Sequence, residues 1–415
     1  MNRRRGRFTS RGLAFVSSGV TLTLGGILLG YRDITRVGVL LLVLAGIARW
    51  LAGRPLTGLA VQRRPEPDQL PLGARTSVEL TITNEGRRRT GFVLAEDSVD
   101  YALGDRPRFV LPSIEPDGGR SVSYVLDGRR RGEHQLGPLH VRVRDPFGLT
   151  ERDSEVPGTG SIIVLPRTYP LGSVAPPGTG DGSEGSTPAM VALHGDEDVS
   201  IRGYRDGDDL RRVHWKASAH RDELMVRQVD RPARRSCLLL LDPRADAHAG
   251  TGEHSSFEWA VSALASIGVR MSELGFRLEL VTREGTVPLA AGEQLSGHAV
   301  LLHLARAETG TEGDLRRMLH TASERLSTGG VVIAVLGGGA PLPAEVPALR
   351  QTGAAGVGLV MDAATFGGLP NDHPEQARDS LAAAGWRTAV VPHDASIPAV
   401  WQHVARRSLV RVGAL

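Results

Sequence analysis

Two apolar runs with a short polar break between them constrain this chain more than anything else in it. Residues 1–11 carry Arg3, Arg4, Arg5, Arg7 and Arg11 and no acidic residue. Leu13 to Gly30 is then uncharged and largely apolar, Tyr31 to Thr35 interrupts with Arg32 and Asp33, and Val37 to Leu51 is apolar again except for Arg49. Each run approaches the roughly 17–25 residues that cross a bilayer as a helix. No small-residue cleavage signal precedes the second run, so a removable signal peptide is the weaker reading. The short connector predicts a tight two-helix transmembrane hairpin. Gly19, Gly25, Gly26, Gly30, Gly38 and Gly46 are expected to bring its helices close together. Arginines outnumber acids before and after the hairpin (Arg54, Arg63 and Arg64 follow Arg49), against Arg32 and Arg36 at the connector. The positive-inside rule then predicts a two-pass protein of the cell membrane, with N-terminus and body in the cytoplasm. Arg49 is expected to snorkel to the interface.

Past this hairpin (1–58), the apolar period drops to two over 59–168. Val78, Leu80 and Ile82 alternate with Glu79, Thr81 and Thr83, and Asn84-Glu85-Gly86 follows as a turn. Phe92 with Leu94, then Val122, Tyr124 and Leu126, then Leu139, Val141 and Val143 repeat the pattern, which predicts a β-sandwich-like module. Asp145-Pro146-Phe147-Gly148-Leu149 reads as an anchored turn with Phe147 plugging the core. Arg129, Arg130 and Arg131 form either a solvated hairpin tip or a contact with anionic membrane lipid. His134 and His140 have no ligand-like company. Residues 169–195, rich in Gly, Pro and Ser, read as a linker.

From 236 to 415 strands and helices alternate. Ser236 to Leu241 is a continuous apolar run ending at Asp242, the pattern of a strand buried on both faces. Helical spacing over Phe257–Leu274 leads to a second strand at Leu278–Val281. Helices near 295–306 and 314–327 precede a third strand at Val331–Leu336. Val357–Met361 and Thr388–Val391 follow, with helices around 374–384 and after 397. This alternation predicts a mostly parallel sheet with helices on both faces. Ligands of such sheets bind beyond the carboxyl ends of the strands, where Asp242, Asp246 and Asp362 fall. Asp242 there either caps a loop or helix or helps hold a hard cation such as Mg2+. Gly337-Gly338-Gly339 is no phosphate loop, because no Gly-Lys-Ser/Thr follows, and no dinucleotide fingerprint follows the first strand. No cofactor is therefore expected.

Between these modules, residues 196–235 hold a dense charged stretch. Arg202, Arg205, Arg211, Arg212 and Lys216 stand among Asp206, Asp208 and Asp209, with Tyr204, His214 and Trp215 interleaved. Gly207 between two aspartates suggests a turn, and Asp209 to Ala219 a short helix with His214 and Ser218 on one face. Two readings stand: an internal lock of ion pairs and hydrogen bonds, in which arginine forks grip carboxylates, or a surface for an anion or a partner protein. Covalent catalysis by Ser218 and His214 lacks a third member. A hydrolase built on Asp208, His214 and Asp242 is the rival from another class. The net charge of +3 gives no case for nucleic acid. Cys237 is the sole cysteine, which excludes an intrachain disulfide and reads as a buried hydrophobe.

The chain resembles the bacterial membrane proteins of the family called domain of unknown function 58. The resemblance rests on Arg202, Tyr204, Gly207-Asp208, Arg211, His214-Trp215, Lys216 and Ser218-Ala219, with Asp145-Pro146-Phe147-Gly148-Leu149 as a second hallmark. Where the family usually has arginine this chain has His220. The resemblance implies a C-terminal von Willebrand factor A-like domain and a non-enzymatic adaptor or assembly factor. It also implies a MoxR-type AAA+ ATPase and other membrane proteins as partners. The A-domain metal motif would fall on Asp242, Arg244 and Asp246, with both serines lost and Arg244 bringing a positive charge to the cation's place.

Overall fold

The computed structural model describes residues 7–52, 58–90, 93–145, 147–173, 199–203, 218–219, 223, 225–229, 236–283, 285–286, 295–325, 330–350 and 355–406. Contacts divide the chain into two compact units, Met1–Arg167 and Thr168–Leu415.

In the first unit two antiparallel helices, α1 (Ser10–Leu29) and α2 (Arg32–Ala52), form the expected hairpin. Gly30, in the left-handed region, ends α1 and turns the chain. Gly19, Gly26 and Gly38 lie in the helix contact: a Cβ at Gly26 would meet the Thr35 backbone nitrogen at 2.6 Å, one at Gly38 that of Thr23 at 2.6 Å. Gly25 and Gly46 face open space, so the glycines do not act as one set. Among the described residues, α1 is the one helix long and apolar enough to cross a membrane by length and composition. Helix α2, which carries Arg32, Asp33, Arg36 and Arg49, is not shown as a second span among the described residues.

Around this hairpin the unit builds its sheets from β1 (Arg7–Phe8), β2 (Leu59–Glu66), β3 (Gln69–Pro71), β4 (Arg75–Asn84), β5 (Val93–Val99), β6 (Arg108–Leu111), β7 (Gly119–Asp127), β8 (Gly132–Arg144), β9 (Thr150–Val156) and β10 (Gly160–Leu165). Strands β2, β4 and β7 make one antiparallel sheet. The other runs β1-β9-β8-β10-β3, with β5 pairing β8 on its free edge and β6 pairing β5. Alternation does what period two requires: Val78, Leu80 and Ile82 are buried while Glu79 and Ser77 face water. Leu80 and Ile82 pack against Val93, Ala95, Leu139 and Val141 of the other sheet, which makes the module a sandwich.

A buried polar cluster ties the two sheets. Arg63 on β2 forks onto Asp97 on β5 (Nε–Oδ2 3.0 Å, Nη2–Oδ1 2.6 Å), and its Nη1 donates to the Gly158 carbonyl at 2.6 Å. Tyr124 on β7 donates its hydroxyl to Asp97 Oδ2 at 2.6 Å. Burial, then the hydrogen bond and charge of Asp97, hold the Tyr124 phenol well above its ordinary pKa, so it stays a donor. Both side chains of the ion pair are fully buried, where a fork geometry satisfies the carboxylate that burial would otherwise strand.

The Asp145 turn differs from expectation in one residue. Asp145, itself buried, accepts from the Phe147 N–H (2.8 Å), the Thr150 N–H and the Thr150 hydroxyl (2.9 Å). This is the anchored turn the sequence predicts. Phe147, however, is 51% exposed, and Leu149 at 2% takes the buried place instead. The turn grips the hairpin's base: Thr9, which caps α1, donates its N–H to the Leu149 carbonyl at 2.9 Å. The Thr9 hydroxyl donates to Gly148 O at 2.7 Å, and the Thr150 hydroxyl, whose one proton is shared with Asp145, lies 3.2 Å from Ala48 O of α2. A Cβ at Gly12 would collide with the Leu149 carbonyl, so only glycine permits this approach. Arg49 lies over the Phe8 ring at 5.9 Å.

The Arg129–Arg131 stretch sits at the other end of β8, roughly 40 Å along a strand of that length. Arg129 pairs with Asp127 at 3.2 Å, and His134 holds the Arg130 carbonyl at 2.8 Å while meeting Asp100 at 3.0 Å. The stretch thus lies at the end of β8 opposite Arg144 and the Asp145 turn. His140 lies 3.8 Å from Glu155.

The second unit carries a ribbon of β11 (Val199–Gly203) and β12 (Met225–Val229), which the sequence reading did not anticipate. Its sheet has the order β15-β14-β13-β16-β17-β18, with β13 (Ser236–Leu241), β14 (Arg277–Thr282), β16 (Val331–Leu336), β17 (Ala355–Met361) and β18 (Arg387–Val391) parallel. Only the short β15 (Gly285–Thr286) at the edge runs antiparallel. Helices α3 (Ser256–Glu273), α4 (Gly297–Ala305), α5 (Glu312–Arg325), α6 (His373–Ala383) and α7 (Ile397–Arg406) connect the strands. Leu239, Leu264 and Trp401 fill one face, and Leu240, Leu315 and Leu381 the other. This is the expected α/β architecture. Cys237 lies within the first of these cores, where burial pushes its thiol up.

Replacing Arg63 by Ala should destabilise the sandwich by about 3–5 kcal/mol, because Asp97 then stays buried without its charge partner. Tyr124→Phe, which removes one charge-assisted hydrogen bond, should cost about 1.5–3 kcal/mol. Denaturant melts of the purified protein in detergent check both.

Candidate functional site

An open parallel sheet offers a crevice where its strand order reverses, beyond the carboxyl ends of two neighbouring strands. Here the chain leaves β13 for β14 on one side and later returns to β16 on the other, so the crevice lies past Leu241 and Leu336. It is filled from within. Asp242 is fully buried, and its Oδ1 accepts from the Arg244 N–H and Nε, each at 3.0 Å. Its Oδ2 accepts from Arg244 Nη2 at 2.8 Å and from the Gly337 N–H at 3.1 Å. The remaining Arg244 nitrogen, Nη1, donates to Pro341 O at 2.8 Å. Burial works against the Arg244 charge, yet the hydrogen bond and charge of Asp242, helped by Asp246 and Glu312, raise its pKa further. Proline at 243 and the two-residue spacing let the guanidinium fold straight back onto the carboxylate at the strand end.

The glycines beyond β16 close the same crevice. Gly339 N–H donates to Ala247 O at 2.8 Å, and a Cβ on Gly339 would lie 2.7 Å from the Asp246 carbonyl. The run thus lets the β16 loop pack on the β13 loop, and it cradles no phosphate.

The two candidate metal ligands part company. Asp242 spends both oxygens on Arg244 and Gly337, whereas Asp246 stands exposed on the short turn Ala245–Ala247. Among the described residues no group of three His, Cys, Asp or Glu side chains is arranged to hold a metal. A cation implied by the A-domain resemblance does not fit here, because a guanidinium lies where it would bind.

His248 completes the cluster, and its protonation state follows from geometry. Its Nε2 faces the Asp242 carbonyl at 3.0 Å and must donate; its Nδ1 faces Ser256 Oγ at 3.0 Å. The Ala249 N–H also donates to that oxygen at 2.9 Å. Burial lowers the His248 pKa below the usual value, which favours the neutral ring, with Nδ1 then accepting the Ser256 hydroxyl. Ser256, fully buried at the start of α3, joins the loop to the helix through these hydrogen bonds.

Of the charged stretch, the structure describes its ends. Arg202 lies in β11, its backbone paired with Val226, and Gly203 faces Met225, so the ribbon brings together the described residues on either side of the stretch. Ser218, helical with Ala219, accepts the Met225 N–H at 2.9 Å, which gives its hydroxyl a structural task. Tyr204, Arg205, Asp206, Gly207, Asp208, Arg211, His214, Trp215 and Lys216 lie outside the described residues, as do the predicted turn and most of the predicted helix. The reading from sequence missed His248 and Ser256, which are separated in the chain and carry no motif.

Arg244→Ala should cost about 3–5 kcal/mol by leaving Asp242 buried and unpaired, and the double change Asp242→Leu with Arg244→Met should recover part of that loss. For His248 the folded pKa is depressed, so unfolding takes up protons below about 6.5. Stability is then full above that pH and falls as pH drops through it toward the lower folded pKa. His248→Gln, which keeps one donor and one acceptor, should flatten this slope in melts from pH 8 to 5.

Comparison with known proteins bears on residues from β11 through the glycine turn. The family described as "Protein of unknown function DUF58" matches residues 200–338. The uncharacterised protein YeaD of Bacillus subtilis is 29% identical over 274 residues, covering 62% of this chain and 64% of its own length. The matched part of the chain therefore spans less than two thirds of that curated relative. Among solved structures, the CARDB domain of the PF1109 protein from Pyrococcus furiosus is similar over 27% of this chain and 92% of its own, at 15% identity and a TM-score of 0.20. The Pseudomonas fluorescens alkylpurine DNA glycosylase AlkC is similar over 31% and 40%, at 16% identity and a TM-score of 0.18. Scores this low carry no inference about fold or function. The family match, which takes in the charged stretch and most of the Asp242–Gly339 crevice, identifies a DUF58-family domain in this chain at residues 200–338.

Proposed function

We propose that this protein is a non-enzymatic, membrane-anchored adaptor or assembly factor that works with a MoxR-type AAA+ ATPase. In this reading both hairpin helices cross the membrane, the body lies in the cytoplasm, and the α/β domain is a von Willebrand factor A-like body without its metal. The observation that carries it is the filled crevice: the place where such a sheet does its chemistry is occupied by the Asp242–Arg244 pair. What remains is a rigid body suited to presenting a surface. The α1 helix supports the anchor, and tethering raises the effective concentration of the body near membrane partners. The charged stretch between β11 and β12 is the proposed docking element.

The hydrolase alternative needs Asp242, whose carboxylate oxygens are both engaged and sealed. A scaffold for envelope assembly without an ATPase differs only in partner. Cross-linked pull-downs of the full-length protein from native membranes, with Arg211→Ala and Asp208→Ala beside the wild type, test the proposal. An ATPase should co-purify with the wild type and be lost from variants that melt normally. Early melting of the variants would make the stretch an internal lock, and absence of an ATPase from the wild type would overturn the adaptor reading.

A further inference from the structure

We propose that Phe147 is a lipid contact, set by the Asp145 turn into the boundary between headgroups and acyl chains of an anionic bilayer. The inference rests on the membrane reading of the hairpin and adds to it a second point of attachment. Its basis is placement. Gly148, Leu149 and Thr150 hydrogen-bond to Thr9 at the start of α1 and to Ala48 near the end of α2. These positions mark the level at which both helices leave the bilayer toward the body. Phe147 adjoins Gly148, so its Cα lies within about 3.8 Å of a residue bonded to that level.

The loop is also held in place. Asp145 accepts the Phe147 N–H and pins Thr150, which holds the turn at Phe147 and at Thr150. A fixed loop that leaves an apolar ring half in water gains little from solvent and much from lipid. The ring continues an apolar exterior, for Leu13 is 59% and Trp50 64% exposed on the adjoining helix ends. The charges nearby suit anionic headgroups: Arg7 and Arg11 are exposed, and Arg3, Arg4 and Arg5 precede them in sequence. Asp145, the acidic residue of the turn itself, is buried and engaged.

The test uses the full-length protein with one added cysteine, since Cys237 is buried. An environment-sensitive thiol dye is placed at Phe147→Cys, at Leu24→Cys on α1, and at Tyr101→Cys. Tyr101 is exposed at the far end of the sheet, beside Arg129. Each is reconstituted into vesicles of phosphatidylcholine and phosphatidylglycerol containing lipid brominated near the headgroup end of its acyl chains. Dye emission should be lost at 147 and at 24 and kept at 101. Loss at 24 with emission kept at 147 would overturn the Phe147 contact while leaving the hairpin in the membrane. Emission kept at 24 would overturn the membrane reading and this inference with it. Equal loss at 101 and 147 would show a module lying on the membrane without a specific loop, and so also overturn it.

Discussion

Asp145 accepts three hydrogen bonds, one from Phe147 and two from Thr150, and the geometry of the first unit follows from them. A turn left to itself would sample many shapes. Pinned at both ends, it presents two carbonyls and a hydroxyl in fixed positions, and these engage the cap of α1 and the last turns of α2. The helices are thus joined to the sandwich by hydrogen bonds at the cap of α1 and in the last turns of α2. The joint is polar, short and specific, unlike a flexible linker.

The two units meet the same physical problem in the same way. Each buries an aspartate and answers it with an arginine fork, Arg63 on Asp97 and Arg244 on Asp242, with a spare guanidinium nitrogen donating to a backbone carbonyl. Such pairs add little net stability, since desolvation offsets most of the attraction. They are intolerant of partial loss, however, and so select one arrangement. In the sandwich that arrangement is the register of one sheet over the other. In the α/β domain it is a closed crevice.

Strands buried on both faces were legible because a continuous apolar run has few other uses: Val331–Leu336 appears in the structure with the bounds the sequence predicts. The Asp145 turn was legible as a turn, but reading Phe147 as core assumed that a large apolar residue goes inside, a rule that fails for many surface residues. Arg63, Asp97 and Tyr124 gave no signal. Each sits in an alternating strand where a polar residue reads as solvent-facing, and only the pairing of the two sheets brings them together. The placing of Arg244 two residues after Asp242 was visible in the sequence, and the structure adds that the two form a buried pair. The partnership of His248 with Ser256 was not, since it depends on how the loop after β13 folds over the start of α3.

The pairing of β1 with β9 has a consequence for synthesis. Arg7 and Phe8 lie before the hairpin, yet they complete a sheet whose partner residues, Thr150 and Glu151, emerge from the ribosome much later. These two residues must stay unengaged while both helices and more than a hundred further residues are made. Closing so long a loop is slow compared with local pairing. The β1–β9 edge thus closes over a long stretch of chain, and capture of Arg7 and Phe8 elsewhere in that interval would leave the hairpin in place and β9 without this partner.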